Sequence, residues 1–277
     1  MRVALAQTNC LLGDVEKNLV TAESLVKDAA AGDADLVVFP ELAVHGYALG
    51  LLEDDLSIPA ADPRLARLSR FGPDVQIGFH EDARLRRYNS SVYLSGGEVR
   101  HVHRKLYLPT YLAWEERKHA SPGQAMRAYD TQYGRVATLI CNDAWQPVLP
   151  WIAAQDGAEV MVVPTNSASG LAPGALDTAE YWRDLLVFIA RMQQCFVFFC
   201  NRVGQEAGMD FWGGSRVVDP LGRTVAEAPL WEPSLVFADV DLGQVRRRRR
   251  QVPLLAEFRL GLVSREVERL IQEGGDL

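Results

Sequence analysis

The sequence contains few cysteines and histidines, and neither residue type has the spacing of a disulfide framework or a zinc site. No Cys-x-x-Cys pair occurs, and the histidines lack zinc-binding spacing. Unpaired cysteines are typical of proteins of the reducing cytoplasm, where we expect this protein to function. The cysteines are Cys10, Cys141, Cys195 and Cys200, and the histidines are His45, His80, His101, His103 and His119.

Long hydrophobic runs are also absent. The most apolar stretch, 185–200, is interrupted by Arg191, Gln193 and Gln194, and no stretch reaches the roughly 18 apolar residues that a membrane-spanning helix requires. The first nine residues become polar before the apolar core of a signal peptide could form. We therefore expect no membrane association and no secretion signal.

The sequence also has no excess of basic residues and no glycine-rich phosphate-binding loop. The net charge of -7 argues against a binder of nucleic acid or anionic membranes. Neither Gly-x-Gly-x-x-Gly nor Gly-x-x-x-x-Gly-Lys-Ser/Thr occurs. One basic block, 246–250, could contact nucleic acid, but its acidic surroundings favour an arginine-rich surface that pairs with acidic groups of a neighbouring subunit.

Strand and helix patterns alternate along the chain. Arg2–Gln7 and Phe196–Asn201 have strand patterns, 36–39 is a wholly apolar strand, and Val15–Ala31 and 178–194 have helical periodicity. The alternation predicts an α/β or α+β protein in which helices cover sheets. The 277 residues contain no break in composition, so one domain spanning 1–277 is predicted.

Cys141 is the cysteine that packing explains least well. The pattern of 134–140 predicts a strand ending just before it, and 142–147 resembles the start of a helix. A thiol at such a turn can project outward, and the positive end of a following helix favours its thiolate. The other three cysteines are predicted to be small buried hydrophobic residues.

Two further reactive side chains follow strand patterns: Glu41 comes after 36–40, and Lys105 after 99–104. Glu41 could cap a helix, although a carboxylate beside a buried strand is unfavourable unless it is paired. Lys105 could equally be a surface lysine. A carboxylate, an amine and a thiol at three strand ends favour covalent acyl transfer, with Glu41 as general base and Lys105 stabilising the thiolate and an oxyanion.

Three ordered blocks resemble the signature blocks of the nitrilase superfamily of carbon-nitrogen hydrolases. They are Phe-Pro-Glu-Leu at 39–42 with Gly-Tyr at 46–47, Arg-Lys-Leu-Tyr-Leu-Pro-Thr-Tyr at 104–111, and Leu-Ile-Cys-Asn-Asp-Ala-Trp-Gln-Pro at 139–147. The resemblance implies a four-layer α-β-β-α sandwich that pairs with a second subunit. It also implies a catalytic set of Glu41, Lys105 and Cys141.

The resemblance further implies a second glutamate that assists the catalytic set. Trp-Glu-Glu at 114–116 matches its sequence context, which assigns the role to Glu116, although Glu115 and Glu116 could also be solvated charges. The next residues, Lys-His-Ala at 118–120, stand where the family commonly has an arginine and aromatics. We therefore expect the packing beside Glu116 to differ from that of the family.

The residues after the cysteine favour amide cleavage. Nitrilases tend to have Trp-Glu there, whereas this chain has Asn142 and Asp143. The pattern Cys-x-Asp-x-Trp-x-Pro most resembles the glutamine-amidase domains fused to NAD synthetases. The chain has no synthetase portion and no Ser-Gly-Gly-x-Asp-Ser loop.

These features predict a metal-free, cofactor-free amidase that acts on a small amide and forms a homodimer or higher homo-oligomer. Four alternatives remain open: a glutaminase-type subunit supplying ammonia to a separate synthetase, a nitrilase, an N-carbamoyl hydrolase, and a non-catalytic binding member. A Cys-His hydrolase would leave the Glu and Lys blocks unexplained. The Asn142 N–H is expected to help hold the oxyanion. The pocket residues predicted from segment position are Tyr47, Tyr111, Asn142, Trp145, Asn166 and Trp212.

Overall fold

The computed structural model describes residues 1–111, 114–170 and 177–274. The strands are β1 (Arg2–Gln7), β2 (Leu36–Val38), β3 (Asp74–Asp82), β4 (Arg87–Ser95), β5 (Glu98–Arg104), β6 (Ala128–Asp130), β7 (Arg135–Thr138), β8 (Val160–Thr165), β9 (Ala168–Ser169), β10 (Phe196–Asn201), β11 (Val203–Glu206), β12 (Met209–Trp212), β13 (Arg216–Val218), β14 (Thr224–Glu227) and β15 (Ser234–Asp239). The α-helices are α1 (Val15–Ala31), α2 (Pro63–Leu68), α3 (Val148–Gln155), α4 (Thr178–Gln193), α5 (Gly243–Gln251) and α6 (Leu260–Gln272). In these described ranges, none of the helices has the length and apolar character needed to cross a membrane.

Two six-stranded sheets form the centre of the fold, in the orders β15-β1-β2-β3-β4-β5 and β14-β13-β10-β8-β7-β6. In the first, β1, β2 and β3 are parallel, and β5 shares their direction because β4 is antiparallel to both β3 and β5. In the second, β7, β8 and β10 are parallel. Within each sheet, parallel strands end at the same edge. The loops after β2 and β5 therefore lie together at one edge of the first sheet, and the loops after β7 and β8 lie together at one edge of the second.

Alternate residues of the central strands face different apolar layers. Val38 and Val162 belong to a cluster between the two sheets. Their neighbours Val37 and Val163 pack instead in the clusters beneath α1 and α2 and beneath α3 and α4. Because both faces are covered, β2 and residues 160–164 of β8 are apolar. The layers are helix, sheet, sheet and helix, which confirms the predicted α-β-β-α sandwich.

The ends of two helices follow from local sequence. The carboxylate of Asp14 accepts a hydrogen bond from the Lys17 N–H at 3.2 Å, and α1 begins directly after it with the predicted bounds. Asp177 caps α4 in the same way. Helix α4 ends one residue earlier than predicted because Gln194 adopts a left-handed conformation, with φ +49°.

The predicted helix start at 142–147 is wrong. Cys141–Asp143 form a single 3-10 turn, and α3 begins only at Val148. Pro147 explains the break, since proline disfavours the interior of a helix but is accepted at its beginning. A small sheet of β11, β12 and β9 was also not predicted, because its strands have only two to four residues each.

The arginine block 246–250 lies in α5 and bonds within its own chain. Arg246 pairs with Glu159 at 3.2 Å, and Arg247 pairs with Asp241 at 2.6 Å. Arg249 donates to backbone carbonyls near the carboxyl ends of α3 and α4. Two arginines of the block therefore pair with acidic groups of their own chain, and pairing with a neighbouring subunit stays a prediction.

Candidate active site

The carboxyl ends of four strands from both sheets surround one site. Glu41 lies beyond β2, Lys105 directly follows β5, and Cys141 lies beyond β7. Asn166 directly follows β8. Because these strands end at the same edge of the sandwich, residues far apart in the chain come together there.

Glu41 is fully buried, and its carboxylate is held by three donors. Lys105 Nζ lies 2.6 Å from Oε1, the Asn89 side-chain amide donates to Oε1 at 2.7 Å, and the Asn166 N–H donates to Oε2 at 2.9 Å. Leu42, the next residue, has φ +48°. The turn therefore directs Glu41 inward, where a paired carboxylate is stable.

Lys105 is also fully buried, so it is not a surface lysine. Its Nζ lies 2.6 Å from Glu41 Oε1 and 2.6 Å from Glu116 Oε1. Burial opposes the ammonium charge, but the charges of Glu116 and Glu41 together raise the pKa of Lys105 well above its usual value. The amine is therefore a fixed cation between two carboxyl groups.

Glu116 and Glu115 occupy different environments. Glu116 is buried and accepts a hydrogen bond from the Tyr47 hydroxyl at 2.7 Å, whereas Glu115 is exposed and pairs with Lys118 at 2.7 Å. Burial, together with the charge of Glu41, raises the pKa of Glu116 to about 7 despite the opposing effect of Lys105. Of the two, only Glu115 is a solvated charge.

Cys141 lies in a left-handed conformation, with φ +47°, and is only partly buried. A non-glycine residue in this region is strained, and such strain often occurs at functional positions. Burial and then the charge of Glu41 raise the pKa of the Cys141 thiol well above its usual value, although the Lys105 charge opposes this shift. The predicted stabilisation of a thiolate by the positive end of a following helix is absent, because Cys141 begins a 3-10 turn and α3 starts only at Val148. The charges of Glu41, Lys105 and Glu116 act on the thiol instead.

The predicted pocket residues fall into two groups. Tyr111 is half exposed and its hydroxyl lies 3.4 Å from Asn142 Oδ1, so both residues lie at the accessible side of the cysteine turn. Trp145 stacks on Tyr181 with ring centroids 4.2 Å apart. Trp212 is buried in the apolar core on which Cys141 and Trp145 also pack, and its indole N–H donates to Ser167 Oγ at 3.1 Å, so its role as a pocket residue stays a prediction.

Asn166 is almost fully buried, and neither its side-chain nitrogen nor its side-chain oxygen has a hydrogen-bond partner among the described residues. An unpaired buried amide is unfavourable unless a ligand or water completes its bonds. Its backbone N–H already binds Glu41, so this side chain is well placed to contact a bound molecule.

Sequence reasoning missed two residues that hold this cluster together. Asn89, in β4, donates to Glu41 at 2.7 Å and lies 3.5 Å from Glu116. Glu206, in β11, accepts hydrogen bonds from the N–H groups of Tyr47 and Ala48 at 2.8 and 2.7 Å. Asn89 is followed directly by Ser90 and Ser91 in β4, so the sequence offered no distinct signal for it.

A cavity of about 540 Å³ lies beside Glu116, lined also by Tyr47 and Asn89. Residues 118–120, which depart from the common family pattern, line it as well. In the part of the chain that the structure describes, no cluster of three or more His, Cys, Asp or Glu side chains is arranged to hold a metal ion.

Comparison with known proteins gives consistent matches. The family model described as carbon-nitrogen hydrolase matches residues 2–250. The glutamine-dependent NAD(+) synthetase of Thermotoga maritima is 33% identical over 256 residues, which cover 88% of this chain but only 42% of that protein. An (R)-stereoselective amidase of Pseudomonas sp. is 32% identical over 97% of this chain and 95% of its own length.

One solved structure bears on the cysteine. A mutant of the amidase from Nesterenkonia sp. AN1 has a TM-score of 0.81 and 25% identity, with 96% of each chain covered. In that structure the acetamide moiety of fluoroacetamide has added covalently at the active site cysteine.

Proposed function

The chain belongs to the carbon-nitrogen hydrolase family, and from that premise we propose that it hydrolyses a small amide through a thioester on Cys141. The observation that carries the proposal is the buried contact of Glu41, Lys105 and Glu116 beside a strained, partly accessible thiol. Three ionisable groups are unfavourable in an apolar interior, and such clusters occur most often at functional sites.

In the first half of the reaction, Cys141 attacks the amide carbonyl while Glu41 accepts the thiol proton. The negative charge that develops on the carbonyl oxygen is held by the Lys105 ammonium and the Asn142 N–H. Glu41 then gives its proton to the leaving nitrogen, the carbon-nitrogen bond breaks, and ammonia or an amine departs. A thioester remains on Cys141.

In the second half, water attacks the thioester while Glu41 accepts a proton from it. The carbon-sulfur bond breaks, the carboxylic acid leaves, and the proton on Glu41 returns to the sulfur. Because burial and the Glu41 charge raise the pKa of the Cys141 thiol, the transfer of its proton to Glu41 is the step that activates the nucleophile. Glu116 holds Lys105 and Tyr47 in place and can accept a hydrogen bond from the substrate nitrogen.

The test is a Cys141→Ala variant assayed for ammonia release on a panel of aliphatic amides, ω-amides, N-carbamoyl compounds and nitriles. We expect the variant to fold and to show no turnover, whereas the matched Cys195→Ala variant, which changes a fully buried thiol, retains it. Turnover by Cys141→Ala on any substrate of the wild-type protein would refute the proposal.

A second candidate is a glutaminase-type subunit that supplies ammonia to a separate synthetase. The cysteine block and the 33% identity to an NAD(+) synthetase over 88% of this chain favour it. The same panel separates the candidates, because this one requires glutamine to be preferred over aliphatic amides and N-carbamoyl compounds.

We also propose that the protein works as a homodimer or higher homo-oligomer. Helix α6 has no buried residue although Val267, Leu270 and Ile271 are apolar, and the outer side of α4 exposes Phe188 and Met192. Uncovered apolar faces of this kind are typical of protein interfaces.

A further inference from the structure

Asp143 has a buried carboxylate that the proposed chemistry does not use. Its side chain is fully buried and closes the turn that carries Cys141. Oδ2 accepts a hydrogen bond from the N–H of Ile140, the residue before the cysteine, at 3.1 Å. The carboxylate therefore holds the backbone on one side of the thiol.

The same carboxylate also holds the segment that carries Lys105. Oδ1 accepts hydrogen bonds from the N–H groups of Leu106 and Tyr107, each at 2.9 Å. These are the two residues that follow Lys105 in the chain. One carboxylate thus joins the backbone beside the thiol to the backbone beside the amine, although 36 positions separate Lys105 from Cys141 in the sequence.

His103 completes the arrangement. It lies in β5, two residues before Lys105, is buried, and places Nε2 at 3.0 Å from Asp143 Oδ2. A carboxylate oxygen only accepts hydrogen bonds, so Nε2 must carry a proton for this contact to form. Asp143 then has four donors, three from backbone and one from the imidazole, and its orientation is fixed.

We propose that Asp143, supported by His103, is a positioning residue that sets the distance between Cys141 and Lys105. The inference rests on the proposed function, since it assigns Asp143 to the same reaction. The oxyanion forms where the cysteine attacks, and Lys105 stabilises it only if the amine is held at that point. Cys141 adopts a strained conformation, so its turn needs an external restraint to stay in place.

The test is Asp143→Asn, which keeps the side-chain shape but replaces one acceptor oxygen with an NH₂ group. That group cannot accept the hydrogen bond from Ile140 if the amide oxygen stays with Leu106 and Tyr107. Because small displacements of reacting groups lower the rate by about 100-fold, we expect kcat to fall about 100-fold while KM stays within about threefold. Iodoacetamide labelling of Cys141, which needs no substrate, should slow as well, because Lys105 would no longer be held near the sulfur.

Asp74→Asn is the matched control. Asp74 is a buried carboxylate that accepts a hydrogen bond from the Tyr93 hydroxyl at 2.7 Å, away from the cysteine turn. It should lower the free energy of unfolding without changing kcat or the labelling rate. If Asp143→Asn, like this control, lowers the free energy of unfolding but leaves kcat and the labelling rate unchanged, Asp143 has only a structural role and the inference is overturned.

If Asp143→Asn does not fold, His103→Phe is the test variant, because it removes only one of the four hydrogen-bond donors to Asp143. A lower kcat with unchanged KM supports the inference, and wild-type kcat overturns it. Failure of this inference is distinguishable from failure of the proposed function. The former leaves Cys141→Ala inactive and Asp143→Asn fully active, whereas the latter requires turnover by Cys141→Ala.

Discussion

Lys105 is shared by two carboxyl groups that would otherwise repel each other in the interior. Its Nζ lies 2.6 Å from Glu41 and 2.6 Å from Glu116, and none of its side chain is exposed. Removing one partner of a buried ion pair leaves an uncompensated charge, which is far more destabilising than the pair itself is stabilising. The same contact thus determines both stability and chemistry.

Lys105→Met should therefore abolish turnover and lower the free energy of unfolding by about 3–5 kcal/mol, because Glu41 and Glu116 lose their counter-ion. Urea denaturation measures the second effect. Lys118→Met removes an exposed pair with Glu115 and should change stability by less than about 1 kcal/mol. Equal stability of the two variants would contradict this interpretation of the buried cluster.

Glu116 should make stability depend on pH. Its pKa is raised from 4.5 to about 7 by burial, so between these values the folded protein holds a proton that the unfolded chain has lost. This contribution is fully present below the unfolded pKa and is lost as pH rises through the folded pKa. The free energy of unfolding of the wild type, minus that of Glu116→Gln, should therefore fall as the pH rises from about 4.5 to about 7.

Glu115→Gln is the control for this pH series, because Glu115 is exposed and the hydrogen bond from Lys118 lowers the pKa of its carboxyl. The free energy of unfolding of the wild type, minus that of Glu115→Gln, should not fall over the same pH range. If the difference in the free energy of unfolding between the wild type and Glu116→Gln does not change with pH, Glu116 is ionised over the whole pH range measured.

At the scale of elements, the close contact of β3 with the Glu41 turn sets the position of the general base. A Cβ added at Gly78 would lie 2.4 Å from the Leu42 nitrogen and 2.7 Å from the Pro40 oxygen. These are backbone atoms, so the turn itself would have to move. Glycine at this point in β3 is therefore required by packing against the turn.

Gly78→Ala should displace Glu41, lowering kcat about 100-fold and stability by about 1–3 kcal/mol. Steady-state kinetics and urea denaturation check both effects. Gly261→Ala is the control, since the added methyl group would meet only the Arg265 guanidinium, at 3.5 Å, and alanine is favoured in an exposed helix. Wild-type kcat in Gly78→Ala would mean that the base does not depend on this contact.

Some site residues could be predicted from the pattern of their own element, and others could not. Glu41, Lys105 and Cys141 each follow an apolar or alternating run, so their placement at strand ends was predictable from local pattern. Asn89 and Asp143 were not, because their roles arise from contacts between segments that are distant in the chain. The helix predicted after Cys141 is present as α3, but it begins at Val148 because Pro147 delays its start.

At the scale of the whole molecule, the apolar patterns of β2 and β8 predicted only sheets covered by helices, and the four-layer arrangement was predicted from the resemblance of the three sequence blocks. The bounds of α1 followed from the cap at Asp14. The small sheet of β9, β11 and β12 was not predicted, since its short strands have little pattern of their own and β9 joins the β11–β12 hairpin from a distant segment.

The proposed homodimer makes a prediction at this scale. Phe188→Asp on α4 and Val267→Asp on α6 each place a charge on an exposed apolar face, so each should shift the protein towards single chains in light scattering. Leu85→Asp, at a residue that is 98% exposed outside both faces, should leave the mass unchanged. A wild-type protein that is a single chain at all concentrations would contradict the proposal.

The central claim is that Cys141 carries the acyl group of the substrate. The most direct measurement is acid quenching during turnover of an accepted amide, followed by intact-protein mass spectrometry and peptide mapping. We predict a mass increase equal to the acyl group, confined to the Cys141 peptide and absent in Cys141→Ala. Continued turnover with the acyl group on another residue, such as Cys10, would contradict it.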